Sequence, residues 1–276
     1  MTFSIVARDG SAFGVAVASK FLAVGAVVPA ARLGTGAVAT QSYARVAYIT
    51  ELLSALARGE SASRALAAAT AQDAGAALRQ VGVVGKRDAA TFTGSQCLPW
   101  AGGLTGEAGG ACYAIQGNLL MGPEVVAEME RAFLAAARLP FGQRLLESLL
   151  AGDAAGGDAR GRESAALYAV APGTGYDRSG VLADLRVDNH PEAPTELARI
   201  YDLHDLYFGM PHDPQQLVGD LELEVRGLLD TLGITGGATA DDLARWASTA
   251  NLENRLSATG IDARVLSELR RAHQAR

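Results

Sequence analysis

Lysine is nearly missing from this 276-residue chain. Lys20 and Lys86 stand alone, and every other basic residue is arginine. Arginine holds its charge whereas lysine can lose its proton, so the two retained lysines stand out. Positive charge is also in deficit, with 24 Lys and Arg against 30 Asp and Glu and a formal net charge of -6. That balance excludes a general attraction to nucleic acid or to an anionic membrane surface. Cysteine is limited to Cys97 and Cys112, which are not in a CxxC spacing and have no paired His cluster beside them. A disulfide framework and a zinc module are therefore not expected, and each thiol reads as a small buried hydrophobe. No apolar run approaches the roughly 18 residues of a membrane span. No basic segment followed by an apolar one opens the chain, so no signal peptide is expected and the protein reads as cytoplasmic.

Apolar side chains make up 49% of the residues, enough for a sizeable core. The length suits one large domain with a small appendage. The first twenty residues organise the rest. Residues 2–7 alternate around Phe3, Ile5 and Ala7, and residues 13–19 are small and β-branched. A polar turn through Asp9, Gly10 and Ser11 joins them into two strands. The first strand begins at Thr2, which becomes the N-terminus if Met1 is removed, the usual outcome before a small residue. A free N-terminal Thr carries a hydroxyl nucleophile and its own amine as base.

Further strands are expected over 35–41, 78–84, 90–93, 112–115, 164–171 and 181–187. Residues 22–31 are too broken to assign. Helices are expected over 47–57, 62–70, from 123 onward and over 141–150, with Gly-rich loops at 94–110 and 151–161. Beyond residue 191 the pattern turns purely helical, over 195–208, 214–232, 240–252 and 262–273. Strands, helices, strands and helices in that order suit an α+β fold, a four-layer αββα sandwich, rather than a doubly wound sheet. The expected division is residues 1–200, a connection at 201–210, and a small all-α module over 211–276.

Several stretches resemble a known family. They are Thr2-Phe3-Ser4-Ile5-Val6-Ala7-Arg8-Asp9, Gly14 through Phe21, Gly36 through Gln41, Gln116-Gly117-Asn118, Gly156 through Leu167, and Leu185 through Pro191. Over residues 2–200 the chain resembles the bacterial domain of unknown function 1028 family, grouped with the N-terminal nucleophile (Ntn) hydrolases. The tail is similar, through Leu232-Gly233-Ile234 and Asn251-Leu252-Glu253, to a helical module labelled peptidoglycan-binding. With no signal peptide expected, a packing or dimerisation role suits it better, and a second copy of this chain is a candidate partner. The resemblance implies an αββα fold, an amidohydrolase acting on a small amide or lactam, Thr2 as nucleophile, its amine as base, and an oxyanion site. No cofactor is implied.

Ser19 and Lys20 end the second strand, where one of them can face Thr2 across the pair. A Lys20 ammonium there keeps the Thr2 amine neutral. An exposed strand-end lysine is the bland alternative. Asn118 can donate to an oxyanion or serve as a plain turn residue. Gln41 closes a matched strand and joins Ser19 as a substrate-binding candidate. Asp158, Arg160, Arg162 and Ser164 enter a strand from a Gly-rich loop. If that strand starts early, Arg160, Arg162 and Ser164 share a face, and an arginine there clamps a substrate carboxylate. The alternative is an Asp158–arginine ion pair that pins the loop. Asp188 and His190 are further binding candidates, but two ligands do not make a metal site, and none is expected. Two rivals stay open: a binding or structural protein that kept the fold, and an enzyme using Cys97 or Cys112 as nucleophile.

Overall fold

The computed structural model describes residues 2–257 and 260–275. Among them are eight α-helices and three antiparallel sheets, and the chain divides into two compact units, Met1–Tyr201 and Asp202–Arg276.

The first unit opens with β1 (Thr2–Asp9) and β2 (Ala12–Ser19), paired antiparallel with Thr2 opposite Ser19. The connection needs a residue at φ 55°, which Gly10 supplies without steric cost. Then follow β3 (Pro29–Arg32), β4 (Gly36–Ser42), α1 (Ala47–Ala57), α2 (Ala62–Ala71), β5 (Arg79–Val84), β6 (Ala89–Thr93), β7 (Gly102–Ala108), β8 (Ala111–Asn118), α3 (Glu124–Ala135), α4 (Phe141–Ala154), β9 (Ser164–Val170), β10 (Val181–Val187) and α5 (Ala193–Phe208). Ser61 begins α2 as expected of an N-cap, its hydroxyl accepting from the Arg64 amide at 3.3 Å.

Six strands form one sheet in the order β10-β9-β2-β1-β8-β7, and four form another in the order β3-β4-β5-β6. Strand alternation then sorts the apolar residues into three cores. Phe3, Ile5, Ile115 and Leu167 leave one face of the six-stranded sheet and meet Met129 and Phe133 of α3 and Leu145 and Leu149 of α4. From the opposite face Val6, Val15 and Val17 meet Ala37, Ala39 and Val84 of the second sheet. The far face of that sheet, through Val38, Val81 and Val83, packs on Tyr48, Leu52 and Leu53 of α1 and Leu66 of α2. Each of the larger side chains buried this way contributes about 1.5–3 kcal/mol.

The structure corrects several boundaries. Residues 94–110 are not one long loop: β7 lies within them, paired residue by residue with β8. Its sequence, with Gly102, Gly103 and Gly106, has poor intrinsic strand propensity, and the ladder imposes the extended state. The unassigned stretch contains β3, an edge strand that tolerates Pro29 at its first position. α5 matches the helix expected over 195–208 to within two residues and makes most of the connection at 201–210 helical.

The second unit carries β11 (Gln215–Gln216), α6 (Asp220–Thr231), α7 (Thr239–Thr249), β12 (Leu256–Ser257), β13 (Gly260–Ile261) and α8 (Ala263–Gln274). It is mainly helical rather than all-α, because β11, β13 and β12 form a short sheet. The helix expected over 214–232 begins only at Asp220. Val225, Leu229, Trp246, Val265 and Leu269 make its core. Asp242 is fully buried and paired with Arg226 at 2.6 Å and with Arg245.

Candidate functional site

β1 sits inside the six-stranded sheet, and its first residue faces the layer between the two sheets. Register places Thr2 opposite Ser19 on one side and Asn118 on the other. Further along that layer the side chains are Val6, Val15 and Val17. At the Thr2 end they are polar. Thr2, Ser4, Ser19, Gln41, Gln80, Gln116 and Asn118 are all buried there, none more than 3% exposed. Buried amides and hydroxyls are tolerated only when hydrogen-bonded, and nearly all of these are.

The Thr2 and Ser19 hydroxyl oxygens lie 3.0 Å apart. Ser4 donates to Gln41 Oε1 at 2.7 Å and accepts from Gln116 Nε2 at 2.6 Å. Gln41 Nε2 donates to the Thr2 carbonyl at 3.1 Å and to Gln80 Oε1 at 2.9 Å. Gln80 Nε2 donates to the Gly117 carbonyl at 2.7 Å and to Thr93 Oγ1 at 2.9 Å. Gln80 Oε1 also accepts from Asn118 Nδ2 at 2.8 Å. Because that oxygen needs a donor, the nitrogen of Asn118 must face Gln80. Asn118 Oδ1 is left buried with no partner among the described residues. The amide nitrogen expected to serve an oxyanion is thus engaged with Gln80, and the free atom at this position is an acceptor.

Of the candidate residues, Ser19, Gln41 and Asn118 lie around Thr2. Ser4, Gln80 and Gln116 belong to the same cluster and were missed. Each falls on an inter-sheet position where an apolar side chain would otherwise sit, a placement that the strand ladders show and the local sequence does not.

Lys20 does not face Thr2. Its ammonium donates to the Arg162 carbonyl at 3.2 Å and lies 3.5 Å from Glu163, because alternation that turns Ser19 inward turns the next residue out. Asp158 is an anchor. Its buried carboxylate accepts from the Lys20 amide at 2.9 Å and the Arg160 amide at 3.0 Å, and pairs with the Arg160 guanidinium at 2.8 Å. Arg162 pairs with Asp153 at 2.6 Å. β9 begins only at Ser164, so Arg160 and Arg162 lie in the loop and share no strand face with it. Ser164 is structural: its hydroxyl accepts from the Val24 amide at 3.0 Å and donates to the Phe21 carbonyl. Asp188 accepts from the Ala23 amide through its backbone, and its side chain is exposed. His190 Nδ1 accepts from the Glu192 amide at 3.1 Å, beside the start of α5. Neither residue joins the Thr2 cluster.

A cavity of about 110 Å³ adjoins the cluster at Ser19, with Phe3, Asp153, Gly156, Asp158 and Arg162 among its walls. Phe21, Leu22, Tyr43 and Met121, which follow strand ends of this unit, are each at least half exposed. Cys112 lies inside the inter-sheet core, and burial pushes its thiol pKa up. Among the described residues no three His, Cys, Asp or Glu side chains gather as a metal would require, and no helix is long and apolar enough to cross a membrane.

Comparison with known proteins adds the following. No curated protein matches the chain. A crystal structure of protein SPO2555 from Silicibacter pomeroyi, assigned to DUF1028, is similar at 30% identity and a TM-score of 0.65, covering 81% of this chain and 92% of that one. A model described as "Putative peptidoglycan binding domain" matches residues 207–269. One described as "Family of unknown function (DUF1028)" matches residues 2–197, well over half of the chain. The chain belongs to that family of unknown function, DUF1028.

Proposed function

We propose that the first unit is an amidohydrolase of the N-terminal nucleophile class, an αββα sandwich acting in the cytoplasm on a small amide or lactam without a cofactor. One observation carries the reading. The hydroxyl residue that opens a central strand lies in register with Asn118, whose Oδ1 is a buried acceptor with no donor among the described residues. Release of the Thr2 amine turns its single amide N–H into a freely rotating group with further N–H donors, on the residue directly opposite that acceptor. Ser19 orients the Thr2 hydroxyl.

In this mechanism Thr2 Oγ1 bonds to the substrate carbonyl carbon and its proton passes to the Thr2 amine. The C–N bond then breaks, and the departing nitrogen takes that proton. Water cleaves the resulting ester and restores the hydroxyl. Arg160 and Arg162 are already paired with Asp158 and Asp153, so a carboxylate clamp is not part of the proposal. A second copy of the chain remains part of the proposal as a partner.

One observation favours a second reading, a non-catalytic binding protein on the same fold: Thr2 is only 3% exposed. Intact mass of the native protein and turnover of an amide and lactam panel separate the two. The enzyme reading expects a mass short by one methionine, loss of turnover in Thr2→Ala and retention in Thr2→Ser. Undiminished turnover in Thr2→Ala overturns it.

A further inference from the structure

A second cavity, of about 290 Å³, lies away from Thr2. β3 is the edge of its sheet and packs over β2 and β9, while β10, the edge of the larger sheet, lies one strand further out. Gly25, Ala31 and Ala166 line the gap between them and are too short to fill it. Tyr168, Asp184 and Arg186 form another wall. In the β9–β10 ladder Asp184 stands opposite Tyr168 and Arg186 opposite Ala166. All three therefore project from the face that Ala166 turns towards the second sheet. The stem of Arg186 is held in place: its Cδ presses on Gly25 so closely that a Cβ there would lie 2.6 Å away.

Among the described residues, the Asp184 carboxylate, the Arg186 guanidinium and the Tyr168 hydroxyl have no hydrogen-bond or ion-pair partner; Asp184 and Arg186 are exposed and stand at the open side of the cavity, Tyr168 half-buried within it. Opposite charges two residues apart on one strand face are about 6–7 Å apart at the backbone. They face one cavity rather than each other. Charges on an edge strand also deter edge-to-edge pairing, but that role requires neither a cavity nor two opposite signs on one wall. A simple anion is repelled by Asp184 and a simple cation by Arg186, so the wall selects a molecule with both charges. Its volume is at the lower end of small-molecule pockets, about 300–1,000 Å³. The Tyr168 hydroxyl is protonated at neutral pH, as any tyrosine is, and can donate.

We propose that this cavity binds a free α-amino acid or dipeptide as its zwitterion, Arg186 taking the carboxylate, Asp184 the ammonium, and the floor around Ala31 and Ala166 an aliphatic side chain. The Tyr168 hydroxyl donates to the same carboxylate. The site is independent of the chemistry assigned to Thr2, and its readout is binding rather than turnover.

The test is calorimetric titration of the full chain with free amino acids, L-leucine first, alongside leucinamide and N-acetyl-leucine, which each lack one charge. Saturable binding of the free amino acid is expected, with both derivatives weaker by about tenfold or more, the loss that follows removal of a charge-assisted pair. Asp184→Asn and Arg186→Gln should each weaken binding to a similar degree. Ala31→Leu should abolish it by filling the floor with no change of charge. Circular dichroism and the unfolding midpoint establish that each variant is folded. Absence of saturable binding by any standard amino acid or dialanine overturns the proposal. So does equal affinity in wild type, Asp184→Asn and Arg186→Gln.

Discussion

Gln80→Leu tests whether the polar end of the inter-sheet layer is as dry and as fully bonded as its geometry implies. The two side chains are of similar size, so the substitution removes the amide without opening a large void. Asn118 Nδ2 loses the one acceptor it has, at 2.8 Å. Stranding a buried polar group in this way costs about 1–3 kcal/mol. The bonds to the Gly117 carbonyl at 2.7 Å and from Gln41 Nε2 at 2.9 Å also go, at about 0.5–1.5 kcal/mol each. Gln41 keeps the Thr2 carbonyl, and Thr93, being half-buried, can turn to water. The expected loss is about 2–6 kcal/mol, a large part of the 5–15 kcal/mol typical of a folded domain. Urea unfolding at unchanged m-value measures it. A change under about 1 kcal/mol would refute the reasoning, because it would mean that water already reaches these groups.

Asp73 gives a pH-dependent expectation. The Gly75 amide, then Arg79 and the Tyr48 hydroxyl hold its carboxyl at about 2, below its ordinary value of 3.8. A depressed carboxyl stabilises the fold above its unfolded pKa and ceases to do so once both states are protonated. The gap in unfolding midpoint between wild type and Asp73→Asn should therefore be full at neutral pH, narrow as the pH falls below about 4, and lose its pH-dependent part below about 2. A gap that does not vary with pH would sink this. The buried, raised-pKa thiol of Cys112 should resist iodoacetamide in the folded protein while Cys97, which is partly exposed, reacts first. Peptide mass mapping would show it, and prior labelling of Cys112 would contradict the burial.

The first hairpin was legible in the sequence because Phe3, Ile5 and Ala7 alternate with residues of a different environment, and one buried face on each side makes register unambiguous. Ser19 and Asn118 followed, since both sit at strand ends next to Thr2. β7 was not legible: Gly102-Gly103-Leu104-Thr105-Gly106 carries little strand propensity, and its conformation comes from β8, a partner no local window contains. Lys20 was half legible. Alternation limited the inward position to one of the pair, but only the ladder decided that it was Ser19. Arg160 and Arg162 misled because a charge cluster looks alike whether it awaits a ligand or is already satisfied, and Asp153 and Asp158 satisfy it. Gln80 was passed over because a lone amide in a valine-rich strand gives no periodic signal of its own. Its meaning appears only when Gln41 of β4 and Gln116 and Asn118 of β8 are brought to it from two other strands.

The position of β1 also has a consequence in time. Its pairing with β2 closes within the first nineteen residues, but its other edge needs β8, with Thr2 waiting for Asn118. On a ribosome adding about 5–20 residues per second, that second partner emerges on the order of ten seconds after the first strand. Until then the beginning of the chain has only a marginal hairpin to bury it. An enzyme that trims the residue before Thr2 has that interval to work in. Once the strand is flanked on both sides, Thr2 itself is almost sealed from water, so a trimming enzyme that acts early meets a far more open strand than one that acts late.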